Sequence, residues 1–185
     1  MNQVTEKKHG LEIWVAPPVG NALKHFMSWL KSYAPRTRFS HADDGTTLLR
    51  QMSLLDNLLM ALEEGVIEGT YREKEMLLAE RLEAQGLKAL ASWFQNPRRL
   101  YQELSSQERF VASVCHALLR PAERTFIDMQ KVTLDPLCLK QLQQVLLSKA
   151  HERHIVVRLP ENSGWYDLQL SEFSLSTDKQ QVRAG

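Results

Sequence analysis

The sequence predicts an α/β protein, a parallel β-sheet with an all-helical subdomain inserted into it. Three observations predict it. Residues 11–16 form a short apolar run closed by Pro17, Pro18 and Gly20, the mark of a buried strand. Residues of about 48–104 carry helical periodicity with no strand pattern. Residues 124–128, 136–150 and 154–158 then read strand, helix, strand, and two strands joined by a helix lie parallel.

Each element has a local reason. After the first strand, Leu23, Phe26, Met27 and Leu30 share one face of a helix over 21–33, which Pro35 ends. Residues 36–47 are polar and are expected to connect. A long helical region opens near Leu48, with Leu54, Leu55, Leu58, Leu59 and Leu62 as its stripe, interrupted at Gly65 and Gly69. A charged helix follows over 71–85 and a shorter one over 87–94, until Asn96 and Pro97 break the pattern. The run from Ser105 to Glu108 has capping-box spacing and opens a helix that turns Phe110, Val111, Val114 and Leu118 inward and stops before Pro121. Pro136 suits the first turn of the next helix. Residues 165–170 alternate like a further strand, and about the last ten residues are polar and expected to fray. Trp14, Trp29, Trp93 and Trp165 are scattered among elements, as core residues would be.

With 185 residues, 43% hydrophobic and 24% charged, the chain can bury a proper core as one domain spanning 1–185. A formal charge of +1 gives no electrostatic case for nucleic acid. Cys115 and Cys138 form no CxxC pair, and residues 1–10 lack the apolar stretch of a leader, so a reduced, cytoplasmic setting is expected. No apolar run approaches the roughly 20 residues that span a bilayer, so contact with a membrane is expected only through a partner. His151, Glu152 and His154 lack the further ligands of a metal site, and no metal or cofactor is expected.

Six short runs, taken together, resemble the ATP-binding subunits of ABC transporters. Leu104, Ser105, Ser106, Gln107 and Glu108 stand where that family has its LSGGQ signature, and residues 117–121 (ALLRP) resemble the end of the signature helix. Residues 125–128 (TFID) match the apolar strand ending in the Walker B aspartate, here Asp128. Residues 134–136 (LDP) fall at the D-loop, with Asp135. The alignment from Glu103 to Pro136 needs no gap. Upstream, residues 53–57 (SLLDN) resemble the opening of the family's helical subdomain, and downstream 154–158 resembles the strand leading to its switch histidine. The resemblance implies a P-loop NTPase-like fold, with the helical subdomain over about 48–104.

The departures from that family decide the expected function. A phosphate-binding loop needs GxxxxGK[ST], whose amides, lysine and hydroxyl hold phosphate and magnesium. The corresponding run, 16–23, has Ala16, Gly20 and Asn21, then Ala22 in place of the lysine and Leu23 in place of the hydroxyl; Pro17 and Pro18 remove two amide donors. Met129 follows Asp128 where the family has its catalytic glutamate, and a thioether cannot take a proton from water. Leu159 lies near the switch-histidine position. The chain between Ala22 and the helical region is too short for most of the antiparallel β-subdomain, and Asp44 is the nearest candidate for the Q-loop position.

Two roles stand open for several residues. The signature-like loop is also a helix cap, with Ser105 still able to bond phosphate, while Ser106 and Gln107 replace glycines that permit close approach. Asp135 either contacts a second subunit, as the resemblance implies, or caps the helix after it. Asp128 without phosphate-binding neighbours reads better as a strand-end residue than as a magnesium partner. The expected function is a catalytically inactive ABC ATPase-like subunit with no cofactor. It would dock on a permease through its helical subdomain, pair with an active ABC ATPase, or both, at the cytoplasmic face of the inner membrane. The alternatives are a stand-alone scaffold reusing the fold and a weak ATP-binding protein.

Overall fold

A computed structural model describes residues 10–15, 37–62 and 68–159. Its strands are β1 (Gly10–Val15), β2 (Phe39–Ala42), β3 (Arg124–Asp128) and β4 (His154–Leu159). Its helices are α1 (Leu54–Leu59), α2 (Tyr71–Ala84), α3 (Lys88–Ala91), α4 (Ser106–Leu119) and α5 (Pro136–Lys149), with 3-10 turns at Met60–Leu62 and Tyr101–Glu103.

The strands form one sheet in the order β1-β4-β3-β2, and every pairing is parallel. All six residues of β4 are buried, including His154 and Arg158, as expected of a strand covered on both faces and flanked by β1 and β3. The register sets Asp128 of β3 beside Arg158 of β4, and Trp14 of β1 on the other side of Arg158. All four strands therefore end along one carboxyl edge.

One strand was invisible in the periodicity. Residues 36–47, expected to be a polar connection, contain β2, which pairs with β3 from Phe39 opposite Arg124 to Ala42 opposite Ile127. Its sequence, Phe-Ser-His-Ala, carries little apolar signal because Ser40 is buried through a hydroxyl–hydroxyl hydrogen bond of 3.0 Å to Thr125 on β3. The helical subdomain consequently enters between the second and third strands, not between the first and second. A second correction concerns its start. The helix expected from Leu48 begins only at Leu54, because the Asn57 side chain holds the preceding loop by accepting from the Leu49 amide at 2.7 Å and donating to the Leu49 and Ser53 carbonyls at 3.0 Å.

The leucine stripe behaves as expected: Leu54, Leu55, Leu58 and Leu59 are buried, and Leu62 packs partly against the same core. α2 opens on a capping box between Thr70 and Glu73 and buries only Leu78 and Leu82, so it rides on the surface of the subdomain. α4 is different. Nine of its fourteen residues are buried, from Phe110 to Leu119, on nearly every side. It packs against β2 and β3 on one flank and against α1, α2 and α3 on the other. α5 begins at Pro136 as expected, packs against α3, and buries Cys138, Leu142, Val145 and Leu146 in the common core. Buried Lys149 at its end is satisfied by Glu152 at 2.7 Å and by Gln85 beyond α2 at 3.0 Å. The helix expected over 21–33, the strand over 165–170, the frayed tail, Trp29 and Trp165 lie outside the described residues. Trp93 is partly buried and donates its indole N–H to Gln141 on α5.

The loop after β2 is bound tightly to α4. Asp43 donates its amide to the Ser113 hydroxyl at 3.2 Å, and Thr47 and Ser113 share a hydroxyl hydrogen bond of 2.7 Å. Gly45 turns with φ of +100°, and a β-carbon there would stand 2.9 Å from Cβ of Arg109 and 3.2 Å from the Tyr101 ring. Arg109 is itself fixed, lying 5.0 Å over that ring and donating to the Leu104 carbonyl at 2.9 Å. Gly45→Ala is therefore expected to cost about 1–3 kcal/mol, from the combined backbone strain and the clash. Urea denaturation measures it; an unchanged midpoint would mean that the loop moves freely away from α4.

Candidate functional site

The candidate site lies at the carboxyl edge of the sheet, where open α/β sheets place their ligands. Three strands deliver polar side chains there. β3 ends in Asp128, β4 carries Arg158, and β2 leads through His41 to Asp43. β1 ends on the same edge, and the P-loop-like residues that follow it, Ala16, Gly20, Asn21, Ala22 and Leu23, lie outside the described residues.

Asp128 is engaged through both carboxylate oxygens. Oδ2 accepts from Nη1 of Arg158 at 3.1 Å, and Oδ1 accepts the Gln130 amide at 3.1 Å. The Arg158 side chain is only 7% exposed. The next residue, Met129, is buried, with its amide donating to the Arg158 carbonyl at 2.9 Å. Asp43 is equally occupied. Its Oδ1 accepts the amides of Gly45 at 3.0 Å and Thr46 at 2.8 Å, and Oδ2 accepts the Thr46 hydroxyl. Asp44, the Q-loop candidate from sequence, is exposed, and it is Asp43 that immediately follows the strand.

His41 stacks on Phe126, with ring centroids 5.6 Å apart, and its Nδ1 is 3.9 Å from Asp43. Its buried Nε2 has no hydrogen-bond partner. Burial lowers the pKa of His41, with the Asp43 and Asp128 carboxylates pulling the other way, so the imidazole is held neutral at this edge.

The signature-like loop starts α4 and sits on the same side of the sheet. Leu104 is buried, and Ser105 and Ser106 are exposed. Ser105 accepts the Glu108 amide at 3.2 Å, while Glu108 accepts the Ser105 amide at 2.7 Å, so the capping role is the one the structure displays. Burial alone would raise the pKa of Glu108, but bonds from Ser105 and the Arg99 guanidinium hold it below the usual carboxylate range. Gln107 reaches outward and accepts the Asp135 amide at 2.7 Å. Asp135, exposed, caps α5 through Oδ1, which accepts from Leu137 at 2.8 Å and Cys138 at 3.4 Å. The two sequence-predicted loops are thus joined in one chain, and both also serve as helix caps.

Sequence reasoning missed His41, Asp43 and the pairing role of Arg158. The available signal was an arginine inside the otherwise apolar strand His-Ile-Val-Val-Arg-Leu, since a buried guanidinium requires a carboxylate. His151 is exposed in the turn after α5 and His154 begins β4, so they do not share a helix face; among the described residues no group of three metal-ligating side chains comes together. Cys115 and Cys138 are buried free thiols, both raised by burial, Cys138 to about 11, and so are poor nucleophiles.

A magnesium–nucleotide group, implied by the resemblance, does not fit the described part of this edge. Each oxygen of Asp128 already accepts one hydrogen bond, one of them from a guanidinium, and Asp43 is taken up by its own turn.

The fold is that of the ATP-binding cassettes of ABC transporters. Among solved structures, a metal-chelate type ABC transporter in an inward-facing conformation superposes with a TM-score of 0.55 at 14% identity, over 83% of this chain and 62% of that one. The dimeric ATP-binding cassette MJ0796, in a post-hydrolysis state with ADP and Pi, gives 0.57 at 14%, over 83% and 75%. CbiO1 from Clostridium perfringens, part of the ABC transporter complex CbiONQ, gives 0.54 at 11%, over 83% and 68%. The chain thus spans under two thirds of the first of these. No protein-family model and no curated protein matches the sequence.

His116, on the last turn of α4, is lowered to about 4 by burial and by neighbouring Arg120. Its unfolded form takes up a proton near pH 6.5 while the folded form resists until about pH 4, so stability is full above the unfolded value and falls as pH drops through that window. His41 acts in the same direction. Between pH 7 and pH 5 the His116 contribution should be a loss of about 2 kcal/mol. Thermal melts across this range check it: His116→Gln is expected to flatten the fall, and an unaltered slope would contradict the assignment.

Proposed function

We propose that this chain is a non-hydrolysing ABC ATPase-like subunit of a transport complex, docking on a membrane permease through its helical subdomain and pairing with an ATP-hydrolysing subunit. The observation that carries the reading is Met129. It follows the strand-end aspartate at the place where a water molecule's proton would have to be taken, and it is a buried thioether with no basic atom. The carboxylate that follows β2 does not replace it, because Asp43 is tied into its own turn.

The docking part of the reading is supported by the helical subdomain. Its described residues form helices with their own buried leucines, and Met60, Tyr71 and Met76 are exposed at 53%, 55% and 65%. Large apolar side chains so exposed on adjoining elements suit a protein partner. No helix among the described residues is long and apolar enough to cross a membrane, so a place at the cytoplasmic face of the inner membrane would come from the permease.

The test is isolation of the tagged full-length chain from its native membranes, followed by an ATPase assay on the chain alone. A permease is expected to co-isolate, with no hydrolysis above background. Met76→Glu should reduce permease recovery at least tenfold while leaving the melting temperature within about 1 °C, since exposed positions contribute little stability. Hydrolysis by the isolated chain that disappears in Asp128→Asn would overturn the catalytic part. Recovery of soluble partners only would overturn the docking part in favour of a stand-alone scaffold.

A further inference from the structure

Among the described residues, Asp43 and Asp44 follow β2, Asp128 ends β3, and Arg158 on β4 faces Asp128. Their bonding differs in a way that matters. Asp43 is neutralised locally by amides and a hydroxyl of its own turn. Asp128 receives only one amide, that of Gln130, and its second oxygen is met by a group from another strand. That group is a guanidinium 7% exposed, whose Nε has no hydrogen-bond partner of its own. Burying such a cation is costly, and among the described residues Asp128 is the acceptor that meets it.

We infer that Arg158 is the resident cation of this edge: its guanidinium occupies the place beside the strand-end carboxylate that a divalent metal would need, so the edge is closed to magnesium and joined across β3 and β4 without any ligand. The inference deepens the proposed function but concerns metal exclusion, not hydrolysis or docking.

Three features of the structure support it. The parallel register places Asp128 and Arg158 side by side, so the pair forms without distortion of either strand. Backbone and side chain cooperate, since the Met129 amide donates to the Arg158 carbonyl at 2.9 Å while the side chains meet at 3.1 Å. Arginine also suits the task better than lysine, because its charge persists at any accessible pH and is spread over a planar group that tolerates partial desolvation. A divalent ion entering beside Asp128 would have to displace the guanidinium into the apolar surroundings of β4 or share the carboxylate with it at repulsive range.

The experiment uses the full chain in thermal melts at pH 7, with and without 10 mM magnesium or manganese chloride, and with magnesium plus ATP. The wild type is expected to shift by less than 1 °C in each case. Arg158→Met and Asp128→Asn should each lower the melting temperature by about 10 °C, because each strands the partner in a buried site. The double variant should recover at least half of the summed loss, which is the coupling a double-mutant cycle detects. A metal-induced rise in the wild type that vanishes in Asp128→Asn would overturn the inference, as would strictly additive losses in the cycle. Should Arg158→Met fail to fold, the metal titration of the wild type against Asp128→Asn still decides it. A protein found to bind magnesium but not to hydrolyse ATP would sink this inference and leave the proposed function standing; hydrolysis without metal-dependent stabilisation would do the reverse.

Discussion

The whole architecture depends on the burial of α4 between the sheet and the helical subdomain. A surface helix needs one apolar stripe, but this helix buries Phe110, Val111, Ala112, Val114, Cys115, Ala117 and Leu118 on opposing sides at once. Its outer flank is the floor for the leucines of α1, and its inner flank covers β2 and β3. Without it the subdomain would have no surface against which to close, and the short strand β2 would lose its cover. Ser113, wholly buried within that helix, also shows how polar atoms are made tolerable there: it accepts the Asp43 amide, shares a hydrogen bond with the Thr47 hydroxyl, and so fastens the loop after β2.

That fastening matters for the carboxyl edge. The loop after β2 is tied to α4 by the Asp43–Ser113 bond, and the loops that begin α4 and α5 are tied to each other by the Gln107–Asp135 bond. Each is modest by itself, about 1 kcal/mol as a net contribution. Together with the Asp128–Arg158 pair they leave an edge whose polar groups are satisfied mostly by each other.

Much of this could be seen in the amino-acid sequence. The capping box at Ser105, Pro136 in a first helical turn and the apolar runs of β3 and β4 are local signals, and the structure realises all of them close to their expected bounds. β2 was illegible because its stability is not local. Its side chains are mostly small or polar, and the strand exists through pairing with β3, the Ser40–Thr125 hydrogen bond and the cover of α4. The start of α1 was misjudged for a similar reason, since the Asn57 amide captures backbone groups that a longer helix would have used.

The sequence by itself determined the class of the protein: helical and strand periods, capping residues and turn-breakers act over a few residues, and they suffice for a parallel sheet with a helical insertion. It also determined that Met129 follows the strand-end aspartate, because that is a matter of chain order. Only the tertiary structure decided what Asp128 meets. Arg158 lies thirty residues further along, on a strand reached after a whole helix, and the two meet solely because parallel pairing of β3 with β4 puts them in register. Charge pairing between distant segments carries no periodic trace in either segment, so it becomes readable only once the sheet order is known.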